Sequence, residues 1–209
     1  MKIYISSLIL IGLFASCSNN KTKIEEGAKQ LSSKIIVPTE EGTIIIAGQA
    51  NADTLKGSLK AMAMGTIGNT GITISYYSPA VRGRVIWGGL VSFDNVWVTG
   101  AHRATSINFN QEVIIGGVNV PAGKYALFTI PGKDEWTIII NKNQDQHLAD
   151  DYDQKEDIVR VKVKPEIAET HQERLRYVIE TENDSTSEIV IYWERLEVSL
   201  PIKASLKTQ

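Results

Sequence analysis

Beyond Ile35 the chain is a succession of short runs of branched and aromatic apolar residues, most of them separated by glycine, proline, asparagine or aspartate. Runs of this length and composition favour β-strands, and the polar breaks favour tight turns. The predicted strands span residues 43–47, 72–77, 104–109, 112–115, 124–130, 136–141, 158–163, 174–180, 188–193 and 197–202.

The patterning within these runs indicates the fold class. Val159, Val161 and Val163 alternate with basic residues, so this strand has one apolar and one polar face. No stretch after residue 35 keeps an apolar stripe at helical spacing for three turns, although residues 52–64 could form a helical turn or two and residues 146–151 one. We therefore expect an all-β protein, a single antiparallel two-sheet β-sandwich, with a barrel as the alternative.

The N-terminal segment has the features of a secretory signal. Lys2 precedes an uncharged apolar run that is too short to span a bilayer comfortably, and the small residues Ala15 and Ser16 stand before Cys17. The segment also resembles a bacterial lipobox, in which the cysteine is lipidated and becomes the first mature residue, although Phe14 stands where leucine is usual. An ordinary signal peptide or an uncleaved anchor is the alternative.

These features divide the chain into three predicted parts. Residues 1–16 form the signal peptide, residues 17–34 the lipidated cysteine and a flexible tether, and residues 35–209 the β-sandwich domain. The tether is polar, and it cannot bury enough surface to offset the entropy of ordering. The sequence therefore predicts a lipoprotein of the cell envelope, attached to a membrane through its N-terminal lipid.

Composition excludes some partners. The formal net charge is −2, and removal of residues 1–16 takes Lys2 with it, which leaves 21 basic against 24 acidic residues and a net charge near −3. Nucleic-acid recognition needs a basic patch or stripe, and the sequence shows only scattered basic pairs. We expect no nucleic-acid partner and no cofactor. An unidentified small molecule or protein remains the expected partner.

Three sequence blocks in one order carry a family resemblance. They are SPAVRGRVIWGGL, VWVTGAHRAT and GGVNVPAGKYALFTIPGKDEWTIIIN, between residues 78 and 141. Together they resemble the uncharacterised bacterial proteins called domain of unknown function 2911, which are typical of Bacteroidetes envelope proteins and often predicted lipoproteins. The resemblance implies no reaction and no catalytic residue. His102 and Arg103 stand where members often have asparagine and glutamate, which puts any chemistry shared at this loop in doubt.

The resemblance also bears on localisation. Some Bacteroidetes lipoproteins carry acidic residues just after the cysteine as a surface-export signal, and the residues after Cys17 are Ser-Asn-Asn-Lys. Their lack of acidic residues favours retention on the periplasmic side over export to the cell surface. We therefore expect an outer-membrane lipoprotein that faces the periplasm.

Basic and aromatic residues in two connections suggest a ligand site. If these connections meet, they would form a small pocket for a carboxylate or sulfated ligand, since arginine binds such groups with two parallel hydrogen bonds. The tryptophans beside glycines fit a stacking platform and equally fit a sandwich core, and the arginines could instead pair with surface carboxylates. The candidate residues are Arg82, Arg84, Trp87, Trp97, His102 and Arg103.

A metal site is the alternative use of the loops. His102, His147, Asp150 and Asp151 could supply nitrogen and carboxylate ligands if their loops converge at one rim. No HxH, HxxxH or HExxH spacing is present, so this site depends on the tertiary fold. The acidic run from residue 145 to 157 lacks the EF-hand glycine and is more typical of a solvated loop.

The sequence contains no catalytic signature. Four residues could act as nucleophiles with His102 as base, but no GxSxG motif is present, and sequence alone cannot pair two carboxylates for glycoside hydrolysis. The nucleophile candidates are Ser78, Thr99, Thr105 and Ser106. A binding or interaction module in the periplasm is therefore the predicted function, and a metal-dependent or hydrolytic enzyme around His102 and His147 is the alternative.

Overall fold

The computed structural model describes residues 36–38, by backbone only, and residues 43–205. The predicted signal peptide, Cys17 and the predicted tether lie outside the described residues. Residues 35–209 form one compact unit. The strands are β1 (Ile36–Pro38), β2 (Ile44–Ile46), β3 (Leu59–Ile67), β4 (Thr70–Ser78), β5 (Thr105–Phe109), β6 (Val113–Ile115), β7 (Val118–Val120), β8 (Gly123–Ile130), β9 (Trp136–Asn141), β10 (Asp157–Val163), β11 (Glu166–Asn183) and β12 (Thr186–Ala204).

The strands form two sheets. The larger sheet has eight strands in the order β1-β2-β3-β4-β5-β8-β9-β10, and the smaller has four in the order β11-β12-β6-β7. All neighbours are antiparallel except β2 and β3, which pair in parallel through Ile44 and Ala61. The predicted all-β sandwich is confirmed.

The main core lies where the inner faces of the sheets meet. In β4, Ile72, Ile74 and Tyr76 are buried and alternate with half-buried residues, as the period of two in a strand requires. From the smaller sheet, Ile189 and Ile191 enter the same cluster. Burial of one such side chain contributes about 1.5–3 kcal/mol before chain entropy is subtracted.

A second, smaller core covers part of the outer face of the larger sheet. Ala126, Phe128 and Ile139 point outward from β8 and β9, and Val98 and Ala104 pack on them from the connection before β5. The outer face of β3 and β4 has no such cover from this cluster. The boundary between the covered and uncovered parts is where the candidate site lies.

The predicted helical turns at residues 52–64 are wrong, because residues 59–67 form β3. Alanine and methionine favour helices, but Ala61 and Ala63 are buried against the core while Met64 is exposed, which is a strand pattern. Pairing with β4 over nine residues overrides local propensity. Gly65 is required for space, since a Cβ there would lie 2.5 Å from the Cβ of Ile179 in β11.

The smaller sheet is more continuous than predicted. Residues 188–193 and 197–202 were expected to form two strands, but both belong to β12, and β11 begins at Glu166 rather than at residue 174. The register between β11 and β12 shifts at three places, so the two strands stay paired around irregularities. The short strands β1 and β7 were not predicted, and the only helical segment described is a 3-10 turn at Gln154–Glu156.

A buried arginine in β11 joins three parts of the fold. The Arg174 side chain is fully buried and pairs with Asp53, with 2.8 Å between Nη2 and Oδ1. Its remaining N–H groups donate to the carbonyl oxygens of Leu55, Gly57 and Ser78. All five guanidinium donors are therefore used, which offsets the cost of burying the charge.

The close approach at Gly65 is testable. We expect Gly65→Ala to lower the free energy of unfolding by about 1–3 kcal/mol, because the new methyl group overlaps Ile179. Gly48→Ala is the matched control, since its Cβ would meet only an ordinary contact at 3.6 Å. Urea unfolding would measure both, and a Gly65→Ala loss that persists in the Ile179→Gly background, where the Cβ of residue 179 is absent, would contradict the overlap.

The Arg174 pair predicts a dependence of stability on pH. Hydrogen bonds from the Arg174 guanidinium hold the pKa of the Asp53 carboxyl well below its usual range. The contribution of this pair to the free energy of unfolding is thus complete above the ordinary aspartate pKa of about 4. It is lost as pH falls toward the lowered pKa that Asp53 has in the folded protein. Asp53→Asn should cost about 3 kcal/mol at pH 7 and flatten the acid side of the stability curve.

The exposed pair between Lys162 and Glu135 gives the control for this experiment. Lys162→Gln should change the free energy of unfolding by less than about 1 kcal/mol. Urea unfolding between pH 2 and pH 7 distinguishes the two variants. Equal small losses would show that the Arg174 pair contributes no more than a surface pair.

Candidate functional site

A cavity of about 250 Å³ opens on the outer face of the larger sheet, beside the second core. Strands β3, β4, β5 and β8 contribute to its wall, and the connections before β5 and after β9 complete it. The residues that line it are Lys60, Ser75, Tyr76, Tyr77, Arg103, Ala104, Ser106, Lys124, Gln144 and Asp145.

Strand pairing places two hydroxyl groups next to each other in the wall of this cavity. Ser75 of β4 is directly opposite Ser106 of β5, and Tyr77 is directly opposite Lys60 of β3. Among the described residues, neither serine hydroxyl has a hydrogen-bond partner. Each can therefore donate to a ligand and accept from it.

Cations dominate the cavity electrostatically. Lys60 and Lys124 are exposed, and no carboxylate of the described chain lies within 4 Å of either ammonium group. Arg103 also lines the cavity, but its guanidinium pairs with Asp145, the one carboxylate among the lining residues. The balance of these four charged groups is positive, although the whole chain is slightly acidic.

Backbone hydrogen bonds between two loops build the rim. Ala104 N donates to Gln146 O at 3.1 Å, and Leu148 N donates to His102 O at 2.9 Å. Arg103 and His147 thus face each other as an isolated antiparallel bridge. The connection before β5 and the connection after β9 are distant in the sequence, and these hydrogen bonds join them at the mouth of the cavity.

The loop before β5 is held in an unfavourable backbone conformation. Thr99 has φ of +50° and is fully buried, which is rare for a β-branched residue, and His102 has φ of +63°. The carbonyl oxygen of Thr99 accepts from the Tyr177 hydroxyl at 2.7 Å and from the Thr105 hydroxyl at 3.0 Å. Burial raises the pKa of Tyr177, so this donor keeps its proton. These bonds fix the rim without a ligand.

Two of the predicted ligand-site arginines lie elsewhere. The Arg82 guanidinium donates to Leu55 O, and Arg84 Nε donates to Val81 O at 3.1 Å. Neither lines the cavity, whereas Arg103 does. The structure thus separates the arginines that were expected to meet.

The predicted tryptophans belong to the main core. Trp87 and Trp97 pack with Trp136 and Trp193, and the Trp97 and Trp193 rings stack with centroids 5.6 Å apart. The indole N–H groups of Trp87, Trp136 and Trp193 are buried with no hydrogen-bond partner among the described residues. Their edge-to-face ring pairs suit N–H donation to a neighbouring ring.

The predicted metal ligands do not gather around one point. The His102 ring packs edge-on against Tyr77 at 5.2 Å, and His147 Nδ1 lies 3.4 Å from Asp150 Oδ2 on an exposed loop. Within the part of the chain that the structure describes, no three histidine, cysteine, aspartate or glutamate residues are arranged to hold a metal ion. Asp151 forms no ion pair there.

Sequence reasoning missed most of the cavity. Ser106 was considered only as a nucleophile, and Lys60, Ser75 and Lys124 were not singled out. Each of these residues alternates with buried neighbours along its strand, and this pattern could have assigned it to the outer face of a sheet. Only the strand order β3-β4-β5-β8 brings them to one place, and that order is not visible in the sequence.

One comparison with known proteins gave a match. The family model described as protein of unknown function, DUF2911, matches residues 58–202, which include all the lining residues of the cavity. No curated protein and no solved structure matches the chain. Among the described residues, no helix has the length and apolar character needed to cross a membrane.

The tryptophan cluster makes a spectroscopic prediction. Trp193→Phe removes the stacked partner of Trp97, so we expect loss of the near-ultraviolet circular dichroism that arises from coupled indoles. The free energy of unfolding should fall by roughly 2 kcal/mol, less than for complete truncation. Tyr152→Phe, outside the cluster, should leave the indole signal unchanged. An unchanged signal in Trp193→Phe would contradict the ring geometry.

Proposed function

We propose that this protein, which belongs to the DUF2911 family of proteins of unknown function, is a binding module of the cell envelope for a small polar anion. The ligand site is the cavity on the outer face of the larger sheet. The observation that carries this proposal is the presence of Lys60 and Lys124 beside two unpaired serine hydroxyls in one preformed recess.

The chemistry of the cavity defines the ligand class. Lysine ammonium groups attract carboxylate, phosphate and sulfate alike, because an ammonium group is a point charge and lacks the planar geometry of the arginine guanidinium. The serine hydroxyls and the Gln144 amide add hydrogen-bonding groups that suit hydroxyls on the same ligand. The cavity, at about 250 Å³, is smaller than sites for drug-sized molecules. A hydroxylated anion the size of a single sugar fits these requirements.

The rigidity of the site supports ligand binding. The Tyr177 and Thr105 bonds that hold Thr99 fix the rim loop before any ligand arrives, so binding costs little loop ordering. Among the described residues, no histidine lines the cavity, and the histidines of the alternative enzyme hypothesis do not converge. No observation therefore favours the enzyme over the binding module.

The location in the envelope is part of the proposal. It rests on the signal-like N-terminus and Cys17, which predict a lipid anchor, and on the lack of acidic residues after the cysteine. A lipoprotein anchored in the outer membrane and facing the periplasm would meet small anions that enter that compartment.

Anion titration tests the proposed site. Glucose 6-phosphate and glucuronate should shift the amide resonances of β4 and β5 around Ser75 and Ser106, whereas glucose should not. Lys60→Gln with Lys124→Gln should weaken binding at least tenfold, because two charge-assisted contacts are removed. Binding should also weaken as salt is raised.

Lys164→Gln is the matched control for the loss of charge. Lys164 is an exposed lysine outside the cavity, and it forms no ion pair within the described chain. The Lys164→Gln variant should bind both anions with the affinity of the parent protein. Absence of shifts with either anion, or equal weakening in Lys164→Gln, would overturn the proposed function.

A further inference from the structure

One surface outside the cavity combines exposed aliphatic side chains with unpaired cations. Val85 is 74% exposed, Leu90 49% and Leu55 41%, and all are large apolar residues. Single exposed residues of this kind are ordinary, but a group of them marks an interaction site. We call this group, with its neighbouring cations, the basic apolar surface. It consists of Leu55, Lys56, Arg82, Arg84, Val85 and Leu90.

Hydrogen bonds show that this surface is continuous. Leu90 N donates to Val85 O at 3.0 Å, which places the two most exposed aliphatic residues of this surface side by side. The Arg82 guanidinium donates to Leu55 O, which joins the third aliphatic residue to the same loop. The segments around residues 55 and 82–90 therefore present one surface.

The cationic groups of the surface form no ion pair. Among the residues that the structure describes, no carboxylate oxygen lies within 4 Å of the Arg82 guanidinium, the Arg84 guanidinium or the Lys56 ammonium group. Carboxylates concentrate elsewhere, since Glu166 and Glu197 line a cavity on the smaller sheet. These carboxylates line a different cavity from the basic apolar surface, and the formal net charge of the whole chain is −2.

The loop that carries the surface is fixed to the body of the domain. Val81 N donates to Glu173 O at 2.8 Å, and Arg82 N donates to the buried Glu173 carboxylate at 2.9 Å. Arg82 itself has φ of +49°. A loop held in this way keeps its aliphatic tips outward rather than folding them onto the sheet.

We infer that the basic apolar surface docks on an anionic lipid membrane. Aliphatic side chains flanked by arginine and lysine match the boundary between acyl chains and charged headgroups, where the apolar tips enter and the cations remain at the phosphates. Charge complementarity favours anionic lipid over neutral lipid. This inference concerns a different set of residues from the anion cavity and does not depend on it.

A fluorescence experiment on vesicles tests the orientation. Residues 35–209 form a compact unit with both sheets and contain no cysteine, so Leu90→Cys gives a single labelling site. The labelled domain is held through an N-terminal histidine tag on vesicles with nickel-chelating lipid, with either 30% phosphatidylglycerol or phosphatidylcholine alone. The label is nitrobenzoxadiazole, whose emission shifts to the blue in lipid.

We expect blue-shifted emission from Leu90→Cys on phosphatidylglycerol vesicles, and quenching by spin-labelled lipid. Arg82→Gln with Arg84→Gln should reduce the lipid-inserted fraction, since each cation near an anionic surface contributes about fivefold. Ile167→Cys is the matched control, because Ile167 is 81% exposed but lies on the acidic cavity of the smaller sheet. The label at this position should keep the emission that it has in water.

Two results would overturn the inference. One is emission from Leu90→Cys that matches Ile167→Cys on phosphatidylglycerol vesicles, which would leave a protein as the partner of this surface. The other is equal insertion on phosphatidylcholine, which would remove the role of the cations. The near-ultraviolet signal of the tryptophan cluster confirms that each variant is folded.

Discussion

Burial of the Arg174 charge is the constraint on which the functional surfaces depend. A guanidinium without solvent must satisfy five donors, and here it does so with Asp53, with carbonyl oxygens of the same segment, and with the carbonyl oxygen of Ser78 at the end of β4. The neighbouring residues of β11 extend this network, as Glu173 binds the backbone at Val81 and Arg82 and Gln172 binds Gln49. An exposed strand edge is thereby covered by irregular chain rather than by another strand.

The chain segments that this network holds in place contribute to both the anion cavity and the basic apolar surface. Residues 79–82 bind β11 and lead into the loop that carries Val85 and Leu90. Residues 53–57 precede β3, which supplies Lys60. At the other side of the cavity, the Tyr177 hydroxyl fixes the rim through Thr99. Strand β11 therefore supports both surfaces without presenting a residue to either.

The sequence predicts the sandwich because most strands have a local signal. Short runs of branched residues, such as those around Ile138 and Ile189, favour strands, and glycine and proline favour the turns between them. Strand β3 lacks that signal, since its alanines and methionines become a strand only where Gly65 lets β11 pass closely. The site follows from pairings across the chain, such as Ser75 with Ser106, and short-range patterns cannot specify them. Trp87 shows the converse, since a ring beside glycines fitted a platform and a core equally well until its neighbours were known.

The pairing of β2 with β3 has a mechanical consequence. Strands β1 and β2 form a hairpin that joins the larger sheet through one parallel pair, Ile44 with Ala61, whereas β3 and β4 share nine pairs. A pull applied at the N-terminus reaches this hairpin before it reaches the rest of the sheet. The hairpin would therefore detach first and take Ile46 out of the main core, and the chain would lengthen while the β3–β4 pairs and the second core remain intact.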